Sequence, residues 1–402
     1  MILTSEPPWP TNHGGRLDIW HRYVGLKACG WSLGLGYWSR TRAEVPELRE
    51  IFDPIWQFER PRGPIAQGQR LLRLSSLPSL VTAHELTSDA LVHFVEAAKA
   101  FGPDVVISEG IYTARTGRRL AERLGTPFVV RSHNIEHAYM GVQFDLATSW
   151  RTKLSIAAAR LHLEQFEIKA LRDADHVLEI SRDAMDFWRR RGITHFSWTP
   201  TFLANTVAPG DHALIPWQDR PHDAVYLGNL WSPNNVAAVR WLIEAVLPRV
   251  VRRSPDYKLL VAGAAPGDDL RARLLRNPNV QLLADPADAA AVRAGGRVLV
   301  NPILQGSGLN TKSVEMLFCD SPLVATPFAA EGLDPESRRC FELHDDPEAF
   351  AAAMVKGNQT PFVAPPERIA ARNKFGPNAA IDLSRLLERI CQDQHLDVPA
   401  AS

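Results

Sequence analysis

The chain has 402 residues, 22% charged and 45% hydrophobic, enough for two domains that each bury a core. Lysine plus arginine equals aspartate plus glutamate at 45 each, so no overall field draws the chain to nucleic acid. The four cysteines, Cys29, Cys319, Cys340 and Cys391, are scattered and form no Cys-x-x-Cys pair, so they suggest neither a disulfide framework nor a zinc site and read as reduced thiols of a cytoplasmic protein.

The opening "MILTSEPPWP" is too short and too poor in basic residues for a signal peptide, and no apolar run reaches the ~18 residues of a membrane span. Strands are expected at 1–5, 31–38, 104–109, 127–132 and 176–181, with helices at 88–101 and 115–124. Residues 151–172, rich in Ala, Leu, Glu and Arg, read as one long helical stretch. Loop composition near 205–222 marks a domain boundary. Beyond it, Val236, Val239, Leu242, Ile243, Val246 and Leu247 make one apolar face of a helix over 234–251. Further strands are expected at 258–262, 280–284, 297–303, 322–326 and 340–343.

This alternation predicts an α/β protein with two Rossmann-like, doubly wound parallel sheets that bind ligands at their C-terminal edges, in a cleft between the domains. The expected division is an N-terminal domain over 1–205, a C-terminal domain over 206–375, and a C-terminal helix within 376–402 that crosses back to the first domain.

"NPILQGSGLNTKSVEML", residues 301–317, sets Gly306, Ser307 and Gly308 between an apolar strand and a helix. Such a loop aims backbone N–H groups, and a partial charge of roughly +0.5 from the helix, at whatever binds there. A phosphate suits that position; a tight turn that binds nothing is the plainer reading. Gly14 and Gly15 stand in the same relation to the first strand. All eleven tryptophans lie at or before Trp241, which fits stacking on a ring-shaped ligand or core packing. The basic stretches 115–119 and 189–192 fit an anionic lipid surface or a solvated face.

Five stretches taken in order, "TSEPPWPTNHGGRLDIW", "VVRSHNIEHAYM", "HVLEISRDAMDFW", "VYLGNLWSPNNVAAVRWL" and "GSGLNTKSVEMLFCDSPLVATPFAAEGL", resemble a glycosyltransferase of the GT-B fold, and most closely the retaining family 4. The resemblance implies transfer of a sugar from a nucleotide diphosphate sugar to an acceptor hydroxyl, in glycan, polysaccharide or glycoconjugate synthesis. It makes the first domain the acceptor domain and the second the donor domain. Gly306, Ser307, Gly308, Leu309 and Asn310 would hold the diphosphate, with Gly228 and Asn229 beside them. Lys312 would neutralise the leaving phosphate, and Glu315 would accept the ribose hydroxyls. Gly14 and Gly15 would approach the phosphates and transferred sugar, His133 would stand near the sugar, and Glu331 would reach its hydroxyls. His137 and His13 are weaker candidates, and Glu109 and Arg131 end strands without an assigned role.

The resemblance also implies that the leaving phosphate takes the acceptor proton, so no obligatory protein base is expected. No cofactor beyond the donor is expected. No metal is expected either, and no Asp-x-Asp motif stands out. The expected partners are the donor and a glycan, lipid-linked or small-molecule acceptor, with no nucleic acid. The expected location is the cytoplasm, with peripheral contact at the inner membrane face. Two positions depart from the family pattern. Ser307 stands where many members carry a glutamate, and Asn234 and Asn235 occupy the loop where many carry a lysine. These departures keep open a GT-B sugar-nucleotide epimerase and a catalytically silent nucleotide-sugar-binding partner. An ordinary NAD dehydrogenase is disfavoured, because no Gly-x-Gly-x-x-Gly follows either first strand.

Overall fold

The computed structural model describes residues 1–11, 14–60, 76–147, 149–203, 215–305 and 308–396. Most of the expected linker therefore lies outside the described residues, as do His13, Gly306 and Ser307. The chain divides into two compact units: Met1–Thr11, Gly15–Pro200 and Asn378–Ser402 form unit 1, and Thr201–Pro377 with Asn12–Gly14 form unit 2.

Unit 1 is built on seven strands: β1 (Ile2–Thr4), β2 (Leu35–Ser39), β3 (Ile55–Glu59), β4 (Val106–Glu109), β5 (Phe128–Ser132), β6 (His176–Glu179) and β7 (Phe196–Trp198). They pair in the order β3-β2-β1-β4-β5-β6-β7, and every pair is parallel. The central strands are continuous apolar runs because both faces of the sheet are covered. Val106, Val129 and Val130 are fully buried.

Besides a single turn at Ser79–Thr82, the described helices are α1 (Gly14–Ala28), α2 (Ser88–Phe101), α3 (Ala114–Leu124), α4 (Glu136–Leu146), α5 (Trp150–Arg160), α6 (Leu163–Arg172) and α7 (Arg182–Arg189). Helix α2 shows how local chemistry sets its limits. The Thr87 side chain accepts from the Ala90 amide at one end, and Gly102 at φ 66° turns the chain out at the other. Between these caps Leu91, Phe94, Val95 and Ala98 form the buried face.

The stretch expected as one helix over 151–172 is two. Leu161 leaves the helical region and His162 sits at φ 60°, a left-handed conformation that a right-handed helix cannot pass through. Strands β3 and β7 were not anticipated.

Unit 2 has six strands: β8 (His222–Leu227), β9 (Leu259–Gly263), β10 (Val280–Ala284), β11 (Gly296–Asn301), β12 (Leu323–Ala325) and β13 (Glu342–Leu343). Their order is β10-β9-β8-β11-β12-β13, again parallel throughout. The apolar helix expected over 234–251 is present as α8 (Pro233–Trp241), a π turn (Leu242–Val246) and α9 (Leu247–Arg253). Pro248 explains the wide turn. It lacks the N–H that would bond the Glu244 carbonyl, and its ring needs the extra room. Five of the six expected core residues are buried, and Val236 packs partly buried against them.

The remaining helices of unit 2 are α10 (Asp268–Leu275), α11 (Ala289–Ala294), α12 (Thr311–Leu317), α13 (Pro347–Gly357) and α14 (Pro366–Phe375). Helix α15 (Asn378–Leu396) belongs to unit 1. Among the described residues no helix is long and apolar enough to cross a membrane.

Candidate active site

In unit 2 the chain leaves β11, as expected, and enters α12. Asn301 at the end of β11 donates to Ser313 Oγ at 2.9 Å, and Ser313 Oγ donates to the Ala329 carbonyl at 2.6 Å. Both side chains are fully buried, so the start of α12 is pinned to the sheet edge. Gly308 has φ 76°, Leu309 is buried, and Asn310 caps α12 without a side-chain hydrogen bond. The Asn310 side chain therefore takes up none of the first-turn amides, although the Ser313 amide bonds the Asn310 carbonyl at 3.0 Å.

Lys312 projects from this turn toward the edge of β8. Its ammonium donates to Asn235 Oδ1 at 2.5 Å and lies 5.5 Å from the centre of the Tyr226 ring. The Asn235 amide donates at 2.8 Å to both the backbone and side-chain oxygens of Asn229. Asn229 Oδ1 also accepts from the Ser232 amide at 3.2 Å. Asn229 thus organises the loop, and Asn235 holds the lysine. The departure noted at Asn235 has a physical content: a neutral carboxamide, not a second cation, faces Lys312.

Gly228 is required here. A Cβ there would lie 2.8 Å from the Tyr226 hydroxyl and 3.3 Å from the Lys312 ammonium. Burial pushes the Lys312 pKa down to about 7, against the opposing pull of Glu315. Glu315 is paired with Arg293 at 3.3 Å. The Tyr226 hydroxyl is buried without a hydrogen-bond partner among the described residues, and burial raises its pKa. Glu331 follows β12 just after a short turn over Phe328–Ala330.

In unit 1 the C-terminal strand ends carry a buried charged network. Thr4, Glu109 and Arg131 are register neighbours on β1, β4 and β5. Gly14 and Gly15 open α1, which brings Asp18, Arg22 and Tyr23 onto this edge. Arg22 donates to both Asp18 oxygens at 2.8 and 2.6 Å, and Arg131 reaches Asp18 Oδ2 at 3.2 Å. Tyr23 donates to Glu109 Oε1 at 2.6 Å. Arg131 also donates to Thr199 Oγ1 at 2.6 Å.

His133, just past β5, bridges the two carboxylates. Its Nε2 is 2.8 Å from Glu109 Oε2, and its Nδ1 is 3.5 Å from Asp18 Oδ2. Burial alone would lower its pKa, but the two carboxylates raise it to about 9. Burial would raise the Asp18 pKa, yet Arg22, Arg131 and His133 hold it well below the usual range. Glu109 is likewise lowered, by His133, Arg22 and Arg131 against burial. With His133 protonated, three cations face the Asp18 and Glu109 carboxylates, and Glu179 also acts on Arg131. His133 is its most exposed member, with 16% of its side chain accessible.

Asp18, Glu109 and His133 also converge closely enough to ligate a metal, with ligand atoms within 4.8 Å of one another. A divalent cation does not suit this set, because two guanidiniums already neutralise the carboxylates. His137 is anchored elsewhere: its Nδ1 lies 2.6 Å from Glu167 Oε2, which also accepts its amide. The residues missed from sequence are Asp18, Arg22, Tyr23, Tyr226 and Arg293. Asp18, Arg22 and Leu26 fall at i, i+4, i+8 on the buried face of α1, so charges at core spacing were the available signal.

Residues 23–196 match the family described as glycosyl transferase 4-like domain, and residues 221–357 match glycosyl transferases group 1. A curated relative, an uncharacterized 44.6 kDa protein in the cps region of Klebsiella pneumoniae, is 24% identical over 368 residues, 88% of this chain and 89% of its own. Among solved structures, Anabaena HepE in complex with UDP and glucose is 13% identical, with a TM-score of 0.63 over 96% of this chain and 99% of its own. S. aureus TarM, in complex with Fondaparinux, alpha-GlcNAc-glycerol and UDP, is 9% identical, with a TM-score of 0.66 over 97% of this chain and 99% of its own. The chain belongs to the group 1, family 4-like glycosyl transferases and has the GT-B fold. Membership makes it a glycosyl transferase.

Proposed function

We propose that the chain transfers a glycosyl group from a UDP-sugar to an acceptor hydroxyl with retention at the anomeric carbon, in the cytoplasmic assembly of a polysaccharide or related glycan. Support for UDP comes from the complexes of HepE and TarM. Support for a polysaccharide comes from the cps region that holds the Klebsiella relative. The observation that carries the reading is the Lys312 ammonium, held at the first turn of α12 by Asn235 and admitted by Gly228.

Unit 2 is the donor domain in this reading, and unit 1 the acceptor domain. Gly306, Ser307, Gly308, Leu309 and Asn310 cradle the diphosphate, Lys312 neutralises it, and Glu315 accepts the ribose hydroxyls. The bond from the anomeric carbon to the β-phosphate oxygen breaks, and the acceptor oxygen bonds to that carbon on the same face. The acceptor proton passes to the departing phosphate oxygen. Negative charge grows on the diphosphate as this happens, so fixed cations and amides lower the barrier. His133 serves as a fixed positive charge, since both its ring nitrogens face carboxylates and neither is free to act as a base.

The test supplies a panel of UDP-sugars with candidate glycan and lipid-linked acceptors, reading UDP release and the product's anomeric configuration by NMR. Acceptor-dependent UDP release with retained configuration is expected. Inverted product refutes retention. Epimerised donor without an acceptor, or donor binding without turnover across the panel, refutes the transferase reading.

A further inference from the structure

Helix α5, "WRTKLSIAAAR", is joined to unit 1 by one narrow face. Ala159 is its one buried residue, followed by Leu163 at the start of α6. At about 100° per residue, Trp150, Leu154 and Ala157 lie on the opposite side of the helix, and Leu161 follows just past its end. These apolar side chains face solvent: Trp150 is 67% exposed, Leu154 60% and Leu161 49%. Three large apolar groups at this spacing are not the scattered exposure usual on a protein surface.

Cations border the stripe. On the same wheel Lys153 and Arg160 fall to one side and Arg151 to the other. Lys153 and Arg160 lie 5.3 and 5.9 Å from the Phe144 ring centre, and Arg151 lies 5.5 Å from that of Trp150. None of the three has an ion-pair partner among the described residues, and α5 contains no acidic residue.

The basic stretches singled out from sequence differ. Arg115 pairs with Glu85, Arg118 with Glu122 and Asp175, Arg189 with Asp186, and Arg191 with Glu164. Four of the six arginines in those stretches are thus matched by carboxylates, whereas none of the three cations of α5 is.

We propose that α5 is an interfacial helix that docks this enzyme on an anionic lipid bilayer. Trp150, Leu154 and Leu161 enter the headgroup boundary, while Arg151, Lys153 and Arg160 meet lipid phosphates. An exposed apolar stripe with a tryptophan at one end and cations on both flanks is the pattern that lies in a membrane surface without crossing it. Docking in this way is independent of which nucleotide sugar the enzyme uses.

The experiment is vesicle flotation of the full chain, using phosphatidylcholine vesicles with and without phosphatidylglycerol. Wild type is expected to float with the anionic vesicles, to float less with phosphatidylcholine alone, and to be released by salt. The triple variant Trp150→Ser, Leu154→Ser, Leu161→Ser should lose at least about tenfold in binding to anionic vesicles. The triple variant Arg151→Glu, Lys153→Glu, Arg160→Glu should lose at least as much, about tenfold or more. The serine variant should keep the wild-type melting temperature, because its changed side chains face out, and the glutamate variant, which gives up the Lys153 and Arg160 contacts with Phe144, should still unfold cooperatively. Failure of wild type to float with anionic vesicles overturns the proposal, as does equal flotation of folded variants. A dimer in sedimentation velocity that the serine variant abolishes, without vesicle binding, would assign the stripe to a second copy and overturn it too.

Discussion

Lys312 should couple donor binding to proton uptake. Its pKa in the free protein is lowered to about 7 by burial, from an ordinary 10.5. At about pH 8 only about a tenth of the free protein carries the charge. A bound diphosphate places anionic oxygens beside the ammonium and raises its pKa. The complex therefore holds a proton that the free protein has largely lost, and affinity must fall as pH rises. If the bound value returns near 10, moving from about pH 6.5 to about pH 8.5 should weaken binding about 25-fold, or about 2 kcal/mol.

UDP-glucose is the probe, since its diphosphate diester keeps a fixed charge over this range. Calorimetry at about pH 8 in buffers of different ionisation enthalpy should report uptake of about 0.9 proton. Lys312→Gln should abolish both the uptake and the pH slope. A wild-type affinity independent of pH, or a slope that Lys312→Gln retains, would refute the reasoning. In the free protein the sign is opposite. Unfolded lysine keeps its proton to higher pH than folded Lys312, so the residue costs stability near neutrality and that cost fades as pH rises toward 10.

Lys312→Ala should lower kcat on the order of 10²-fold in an acceptor-dependent UDP-release assay, because its contact strengthens as the diphosphate departs. Asn235→Asp sets a carboxylate against the Lys312 ammonium, so it should raise the lysine's pKa and flatten the pH dependence of UDP-glucose affinity in the same calorimetry. Tyr226→Phe should leave stability within about 1 kcal/mol of wild type in urea denaturation, since its buried hydroxyl has no partner to lose. His133 has a folded pKa of about 9, above the ordinary 6.5. Its contribution is full below about pH 6.5 and lost as pH rises through about 9, so His133→Asn should destabilise more at pH 6 than at pH 10 in the same measurement.

The positions of the central strands were legible because buried parallel strands are apolar on both faces, as Val298–Val300 and Phe128–Val130 are. Strand β3 escaped notice because "IWQFE" is only partly buried and gains its strand identity from its pairing with β2, a non-local fact. The break at Leu161–His162 escaped it because neither residue is a strong helix stop. At the candidate site, the glycine loop was marked by local spacing, and the role expected of Lys312 came from the family resemblance. The partner that holds Lys312 was not, because Asn235 is 77 residues away in the chain. Nor was the Asp18–His133 network, whose charges look like surface residues until two sheet strands and a helix enclose them.

Helix α15 gives the chain an unusual order of assembly. Leu383 and Leu387 are buried in unit 1, Trp31 donates to Ser384 Oγ at 2.9 Å, and the Cys391 thiol reaches the Asp104 carbonyl at 3.6 Å. Unit 2 occupies the stretch between Pro200 and Asn378. During synthesis the first unit to emerge is therefore the last to be completed, and the inserted unit can reach its native state while its host still lacks a piece of its own core. A chain released at residue 377 would hold all of unit 2 and leave unit 1 unsealed. Chaperone demand should thus concentrate on the N-terminal half of the nascent enzyme until its last helix arrives.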